Sequence, residues 1–114
     1  MTVEEAVTYF VRYKGLPQPQ DKFESYYRTQ HSEILKLMPG IRRLVLHVPT
    51  TWRDPFPVQP DGTDFLAEMT FADAAALKIG VESRARAIAR DDLQNLPQGS
   101  AAVTHQAMRS LRVL

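Results

Sequence analysis

The amino-acid sequence predicts a single α+β domain over residues 1–114, built from a small antiparallel sheet and helices. Its length suffices for one hydrophobic core and not for two, and its 44% hydrophobic and 24% charged residues are typical of a globular protein. Segments with alternating apolar residues and segments with a helical period follow one another along the chain. Their order is strand, helix, strand, strand, helix, strand. With both helices on one face of a four-stranded sheet, this order is the ferredoxin-like βαββαβ fold.

The first strand and the first helix have the clearest patterns. Residues 6–13 (AVTYFVRY) alternate β-branched and aromatic residues, with rings on both faces, which predicts a strand covered on both sides. Residues 21–40 place apolar side chains at three- and four-residue steps, which predicts a helix with one buried stripe. Asp21 supplies a capping oxygen or a negative charge at the start of the helix, and Pro39-Gly40 ends it.

The second half of the chain predicts two strands, an interrupted helix and a final strand. The helix is expected to break near Gly80, and its charged residues Arg84, Arg86, Arg90, Asp91 and Asp92 are expected to lie mostly outside. In order, the predicted elements are strands at residues 41–49 and 64–71, helical segments at 72–79 and 82–96, and a strand at 102–111.

A long segment between the second and third strands fits no regular element. Residues 50–63 contain three prolines and a glycine, which exclude a helix or a paired strand. Trp52 and Phe56 give this loop apolar surface, and ordered loops of such length are often functional. We expect residues 52–63 to cover either the mouth of a cleft or the seam of a dimer.

Composition argues against several classes of partner and cofactor. Fourteen Lys and Arg stand against thirteen Asp and Glu without a basic cluster, so nucleic acid is not an expected partner. The absence of cysteine excludes thiol chemistry and a disulfide framework. The histidines are widely separated and no glycine-rich nucleotide loop is present, so we expect no metal and no cofactor. Without a signal peptide or a membrane-spanning run, we expect a cytoplasmic protein with no membrane partner.

The predicted sheet also indicates a homodimer. If the helices cover one face, the other presents Phe10 together with either Phe65 and Phe71 or Leu66. A monomer does not readily leave such an apolar surface in water. Two sheets packed face to face would close into a dimeric α/β barrel.

His31 is the residue in the first helix that suggests chemistry. It follows Tyr27 by four residues on the stripe that also holds Phe23, so the imidazole faces the sheet or a cleft beside it. Two interpretations remain open at this point. His31 is either a neutral core histidine bonded to a backbone carbonyl, or a proton shuttle at the floor of an apolar cleft.

Three tyrosines are candidates for contact with a ligand. If Tyr27 lines the cleft, its hydroxyl can orient a substrate oxygen, and otherwise it is a core aromatic residue. Tyr9 and Tyr13 share one face of the first strand and are expected to lie opposite the first helix.

Three further residues complete the candidates. Arg43 and His47 share one face of the second strand, and both reach an anionic or carbonyl-bearing ligand if that face lies under the helices. Otherwise they are surface residues. Trp52 is a candidate substrate contact if its loop closes the cleft, and His105 is assigned no role.

A family resemblance is found in the stretch FESYYRTQHSEILKLMPGIRRLVLHV. It resembles the EthD family in its aromatic pair, a histidine four residues beyond the second aromatic residue, a Pro-Gly pair and a strand that begins Ile-Arg-Arg. Departures are Tyr27, where the family usually has tryptophan, and Ser32-Glu33, near which a proline is common. The resemblance extends through AEMTFADAAALKI and VESRARAIARDDLQNL, which are similar to later segments of the family.

The resemblance implies a dimeric α/β barrel related to small cofactor-independent oxygenases, dehydratases and muconolactone isomerases. We therefore expect an enzyme with a cleft between sheet and helices that binds a small apolar, aromatic or lactone compound. His31 and Tyr27 are the expected catalytic residues, and oxygenation, isomerisation and dehydration remain open. The alternatives are a non-catalytic ligand carrier or accessory protein that uses the same cleft, and a structural dimer without a site.

Overall fold

The structure, a computed structural model, describes residues 5–114 and has the predicted order of strands and helices. The prediction of one domain over residues 1–114 stays a prediction, and residues 1–4 lie outside the described part. The strands are β1 (Ala6–Lys14), β2 (Arg43–His47), β3 (Phe65–Phe71) and β4 (Ala102–Ser110). The helices are α1 (Asp21–Tyr26), a π-helical segment (Tyr27–His31), α2 (Ser32–Leu35), α3 (Ala74–Val81), α4 (Arg84–Asp92) and a 3₁₀ turn (Leu93–Asn95).

The four strands form one antiparallel sheet in the order β2-β3-β1-β4. The central strand β1 pairs Val11 with Ala67 of β3 on one side and with His105 of β4 on the other. This topology confirms the ferredoxin-like α+β fold that the order of elements predicts.

The two faces of the sheet differ in burial. On β3, the side chains of Phe65, Ala67, Met69 and Phe71 are buried, whereas the alternating Leu66, Glu68 and Thr70 are only half-buried. The buried set faces the helices, because its members share the core with residues of the helical segments. Of the two alternatives considered for the open face, Phe65 and Phe71 are therefore excluded and Leu66 is correct. Phe10 lies on the open face as well, opposite Glu68.

An aromatic cluster joins the sheet to the first helical segments. Tyr13 of β1 contacts Phe23, Tyr27 and Phe65 at ring-centroid distances of 5.0, 6.2 and 6.0 Å, all edge to face. Each such pair contributes about 0.5–1.5 kcal/mol beyond the burial of its area. The cluster fixes the position of Tyr27, and with it the π-helical segment that ends at His31.

At the start of the first helix Asp21 supplies the predicted negative charge rather than a cap, and the end of the helix differs from prediction. Its N-cap is Gln20, whose amide donates to the Asp64 carbonyl oxygen at 2.7 Å, and Asp21 lies in the first turn without capping. The regular helix ends at Leu35, and turns and a bend follow up to Gly40, which has a φ of +79°. Only glycine adopts that backbone conformation without strain.

The second helix breaks at residues 82–83, two to three residues after the predicted position. Gly80 lies inside α3, and the break falls between Val81 and Arg84. The new helix starts there because Ser83 caps it, its hydroxyl accepting a hydrogen bond from the Arg86 N–H at 3.2 Å. Gly80 is buried against Phe71, and a Cβ at position 80 would lie 2.6 Å from a ring carbon of Phe71. Gly80 therefore allows α3 to pack closely against Phe71 and does not break the helix.

The long loop makes few contacts with the rest of the chain. Every residue from 48 to 62 is exposed, and Trp52 has 56% of its surface accessible. Short local turns hold the loop, with Asp54 accepting from the Phe56 N–H at 2.9 Å and Asp61 from the Thr63 N–H at 2.8 Å. None of the helices within residues 5–114 is long and apolar enough to cross a membrane.

Candidate active site

A small cavity lies between the helix-covered face of the sheet and the helices. It has a volume of about 30 Å³, which accommodates a water-sized group and is far below the roughly 300 Å³ at which ligand pockets begin. Its apolar walls include Val11, Leu35 and Met69. The polar and ionisable residues that line it are Tyr13, Tyr27, His31, Arg86, Arg90 and His105.

A wider groove of about 790 Å³ runs beside α1 along the edge strand β2. It is lined by no histidine or tyrosine, and of its carboxylates Asp21 is exposed and Glu24 is bonded to Gln20. The small cavity, with its buried histidine, is therefore the better candidate for chemistry.

The π-helical segment places His31 in the cavity wall. The Ser32 N–H bonds to the Tyr27 carbonyl oxygen five residues earlier, and the Ser32 hydroxyl donates to the same oxygen at 2.8 Å. Short π-helical segments within helices are frequent at functional sites. His31 has 3% of its surface accessible, and its ring centroid is 4.6 Å from that of Tyr27.

Asp92 is the partner of His31. Its Oδ2 lies 2.8 Å from His31 Nδ1, while its Oδ1 accepts from the Tyr26 hydroxyl at 2.7 Å and from the Asn95 amide at 3.0 Å. The side chains of His31 and Asp92 have only 4% and 10% of their surfaces accessible. The prediction that Asp92 lies outside is wrong. At the last turn of α4, the Asp92 side chain points toward the first helical segments. Its carboxylate accepts hydrogen bonds from Tyr26, His31 and Asn95.

The pKa of Asp92 lies below its ordinary value. Burial acts to raise this pKa, but hydrogen bonds from Asn95, Tyr26 and His31, together with the attraction of the imidazole, outweigh it. Asp92 is therefore ionised at neutral pH. Because a carboxylate only accepts hydrogen bonds, His31 Nδ1 carries a hydrogen, and in the neutral ring the lone pair is on Nε2.

Two neutral phenols lie beside the histidine. Tyr13 and Tyr27 are almost completely buried, and burial raises the pKa of Tyr13 to about 12 and that of Tyr27 further. Nearby guanidinium groups only partly oppose this effect. Within residues 5–114 neither hydroxyl has a hydrogen-bond partner, so both remain able to donate to a ligand oxygen.

His105 also lies at the cavity, although the sequence analysis assigned it no role. The Tyr9 hydroxyl lies 2.9 Å from His105 Nδ1, and the Arg86 guanidinium lies 5.4 Å from the centroid of the Tyr9 ring. Burial lowers the pKa of His105, and the positive charges of Arg86 and Arg90 add to this effect. Strand alternation places His105 and Val103 on one face, but which face is covered follows only from the pairing with β1.

The remaining candidates do not join this cavity. Arg43 and His47 pair with Thr70 and Leu66 on the open face of the sheet, so the condition for their contact with a ligand beneath the helices is not met. His47 instead lies 3.2 Å from Glu68 across the same face. Trp52 is exposed on the long loop and does not line the cavity.

Among residues 5–114, no three His, Cys, Asp or Glu side chains are grouped closely enough to hold a metal ion.

Comparison with known proteins decides the family. The family model described as the EthD domain matches residues 17–96, which include both His31 and Asp92. The chain belongs to the EthD family. This confirms the resemblance read from the first helix and the strand after it. Among proteins with curated descriptions, no match to this EthD protein was found.

Solved structures share the fold of this EthD protein at low sequence identity. An ethyl tert-butyl ether D family protein from Bacillus halodurans is 16% identical, with a TM-score of 0.74 over 93% of this chain and 99% of that chain. A monooxygenase from Streptomyces coelicolor, solved with nanaomycin D, is 18% identical, with a TM-score of 0.64 over 96% and 89%. SnoaB from Streptomyces nogalater, a cofactor-independent oxygenase, is 18% identical in a mutant form, with a TM-score of 0.63 over 98% of both chains.

Proposed function

We propose that this EthD protein is an enzyme that performs acid–base chemistry on a small organic molecule with its own side chains. The observation that supports this most directly is the hydrogen bond of 2.8 Å between buried His31 and Asp92 at the wall of a cavity. A histidine oriented by a carboxylate is a recurrent general base.

The proposed reaction begins with transfer of a proton to His31. The bond from Nδ1–H to Asp92 leaves Nε2 to accept a proton from an acidic C–H or O–H of the ligand. Asp92 then stabilises the imidazolium, while Tyr13 and Tyr27 donate hydrogen bonds to the oxygen on which negative charge develops. Their raised pKa values keep both phenols protonated for this role.

The fate of the resulting anion separates the three open reactions. Return of the proton at another atom is isomerisation, loss of a β-hydroxyl is dehydration, and reaction of an enolate or phenolate with dioxygen is oxygenation. Two proteins of the same fold are named as a cofactor-independent oxygenase and a monooxygenase, and this supports oxygenation as the first reaction to test.

Admission of a ligand requires movement of the cavity rim. The space of about 30 Å³ is too small for an organic molecule, so a ligand must displace side chains. Arg90 is exposed and Arg86 is half-buried, so both long side chains can swing outward from α4. The cavity then opens toward solvent while His31 stays fixed by Asp92.

We also propose that the protein is a homodimer joined through the open face of its sheet. That face carries the apolar residues Phe10, Val45, Leu66 and Met108, of which Met108 has 55% of its surface accessible. A second copy would remove this surface from water.

The test of the proposed function compares His31→Gln with His47→Gln. Glutamine keeps a hydrogen-bonding side chain but cannot cycle a proton, and His47 lies on the open face as a matched control. Phenols, enolisable ketones and lactones are screened for turnover, and each variant is also melted. We expect loss of turnover by about 10²–10⁴-fold in His31→Gln alone, the range for one acid–base group. Equal turnover per folded molecule in all three proteins would contradict catalysis, and saturable binding without turnover would favour the carrier function.

A further inference from the structure

We infer that the ligand of this cavity is an organic carboxylate, a small apolar or aromatic body whose carboxylate group binds Arg86 and Arg90. This inference specifies the substrate class of the proposed function and rests on the same cavity, but its test does not require turnover.

The two arginines lie on the same side of one helix. Arg86 and Arg90 are four residues apart on α4, one turn of helix, and both line the cavity. Arg84, two residues before Arg86 on the same helix, is exposed and does not line it. The cavity therefore receives two of the guanidinium groups of α4 and not the third.

Neither guanidinium group is neutralised by the described part of the protein. Among residues 5–114, no carboxylate forms an ion pair with Arg86 or Arg90. Asp91, which follows Arg90 on the helix, is exposed and forms no ion pair with it, and the two oxygens of Asp92 are occupied by His31, Tyr26 and Asn95. Like charges at this spacing repel each other, and the Arg86 guanidinium lies over the face of the Tyr9 ring, 5.4 Å from its centroid. An anion between the two groups would remove the repulsion.

The surrounding side chains favour a negatively charged group and an apolar body. Tyr13 and Tyr27 are neutral phenols that can donate hydrogen bonds to an anion, and both line the cavity together with the two arginines. Apart from the two histidines, the remaining walls are apolar and include Val11, Leu35 and Met69. A guanidinium group matches the two oxygens of a carboxylate through parallel hydrogen bonds, which makes a carboxylate the best-fitting anion.

The position of the arginines also suits the proposed chemistry. They lie at the rim that must move to admit a ligand, whereas His31 lies in the wall fixed by Asp92. A carboxylate held at the rim would direct the body of the ligand inward, toward the histidine and the two phenols. Binding and proton transfer are thereby assigned to different residues and can be tested separately.

The experiment measures binding of matched acids and amides by calorimetry. Benzoate, phenylacetate and 3-phenylpropionate are each compared with the corresponding neutral amide, at low and high salt. For the best-fitting pair we expect the acid to bind about 10- to 100-fold more tightly than its amide, as expected for one charge-assisted bidentate contact. Added salt should reduce this preference.

Variants assign the preference to the two arginines. Arg86→Gln and Arg90→Gln should each lower the ratio of acid to amide affinity, whereas Arg84→Gln, the control on the same helix, should keep it. If a glutamine variant does not fold, Arg86→Lys or Arg90→Lys is measured instead. These variants should lower the ratio of acid to amide affinity, because lysine cannot make the bidentate contact. His31→Gln should keep the preference even where it abolishes turnover, so failure of the catalytic proposal is distinguishable.

Three results would overturn the inference. These are equal affinity of acids and amides for the wild-type protein, an equal loss of preference in Arg84→Gln, and no binding of any of the three acids up to about 10 mM.

Discussion

His31 is distinguished from an ordinary core histidine by the group that it contacts. A core histidine would need only a backbone carbonyl, but His31 bonds to a buried carboxylate that also accepts from Tyr26 and Asn95. The carboxylate determines which ring nitrogen carries the hydrogen and stabilises the protonated ring. That arrangement is useful for proton transfer and is more than packing requires.

The lowered pKa of Asp92 predicts a pH-dependent contribution to stability. Because its pKa in the folded protein lies below the ordinary value of 3.8, the ionised group stabilises the fold above that value. This contribution is lost as the pH falls through the lower pKa of the folded state. We expect Asp92→Asn to be less stable than wild type at neutral pH. The difference in the free energy of unfolding between the two proteins should become smaller below about pH 4.

Denaturant unfolding of both proteins at neutral pH and at about pH 3 measures this gap. Asp91→Asn, a change at the adjacent exposed carboxylate, is the control and should show little pH-dependent difference from wild type. A gap between wild type and Asp92→Asn that stays constant or grows in acid would contradict the assigned environment of Asp92.

Part of the site could be predicted from the sequence because periodicity assigns residues to faces. Spacing placed Tyr27 and His31 on a buried stripe, and alternation placed Tyr13 on the face of β1 that it shares with Tyr9, which does not line the cavity. Asp92 lies 61 residues from His31, and charged residues near a helix end are normally exposed, so no local pattern indicates their contact. For Arg43 and His47, alternation showed that they share a face but could not show which face the helices cover.

At the scale of elements, caps and close contacts determine where the helices begin and end. The predicted break at Gly80 treated glycine as a helix breaker, whereas Ser83 provides the stronger signal by capping α4. Gly80 is required for a different reason, the approach of α3 to Phe71. The order of elements could be predicted because strands and helices space their apolar residues with different periods. A contact between two elements leaves no such pattern and could not be predicted.

The close approach of α3 to β3 predicts that Gly80→Ala destabilises the protein. Alanine is favoured over glycine in a helix by about 1 kcal/mol, but the added methyl group would lie 2.6 Å from Phe71 Cε1 and 3.3 Å from the Pro39 carbonyl oxygen. Overpacking of this kind costs about 1–3 kcal/mol, so we expect a net loss in the free energy of unfolding.

A double-mutant cycle tests the cause of that loss. Phe71→Leu alone should destabilise the core. The double variant should lose less stability than the sum of the two single losses, because the smaller side chain at position 71 leaves room for the methyl group. Strict additivity of the two changes, measured by denaturant unfolding, would show that the contact with Phe71 is not responsible.

At the scale of the whole molecule, the fold leaves one sheet face and one loop without partners in the described chain. The open face holds Phe10 and Leu66, and the loop of residues 48–62 exposes Trp52 and Phe56. Of the two positions expected for this loop, the cavity mouth is not supported, since Trp52 does not line the cavity. The dimer seam stays a prediction.

Phe10→Asp tests the proposed dimer. A carboxylate buried between two sheets would lack a partner, so the variant should dissociate or unfold, whereas the wild-type protein should sediment as a dimer at micromolar concentration. Ile79→Asp, a comparable change at an exposed position of α3, should leave the association unchanged. A well-folded wild-type monomer in the same sedimentation experiment would refute the dimer.

Removal of a proton from a bound ligand by His31 is measured directly by exchange of ligand hydrogen with solvent deuterium. Enolisable ketones and phenylacetate are incubated with the enzyme in D₂O, and loss of the α-proton signal is followed by NMR. We expect wild-type protein and His47→Gln to accelerate exchange of at least one compound, and His31→Gln to lose most of that acceleration while retaining its fold. Exchange at the wild-type rate in folded His31→Gln would contradict the account.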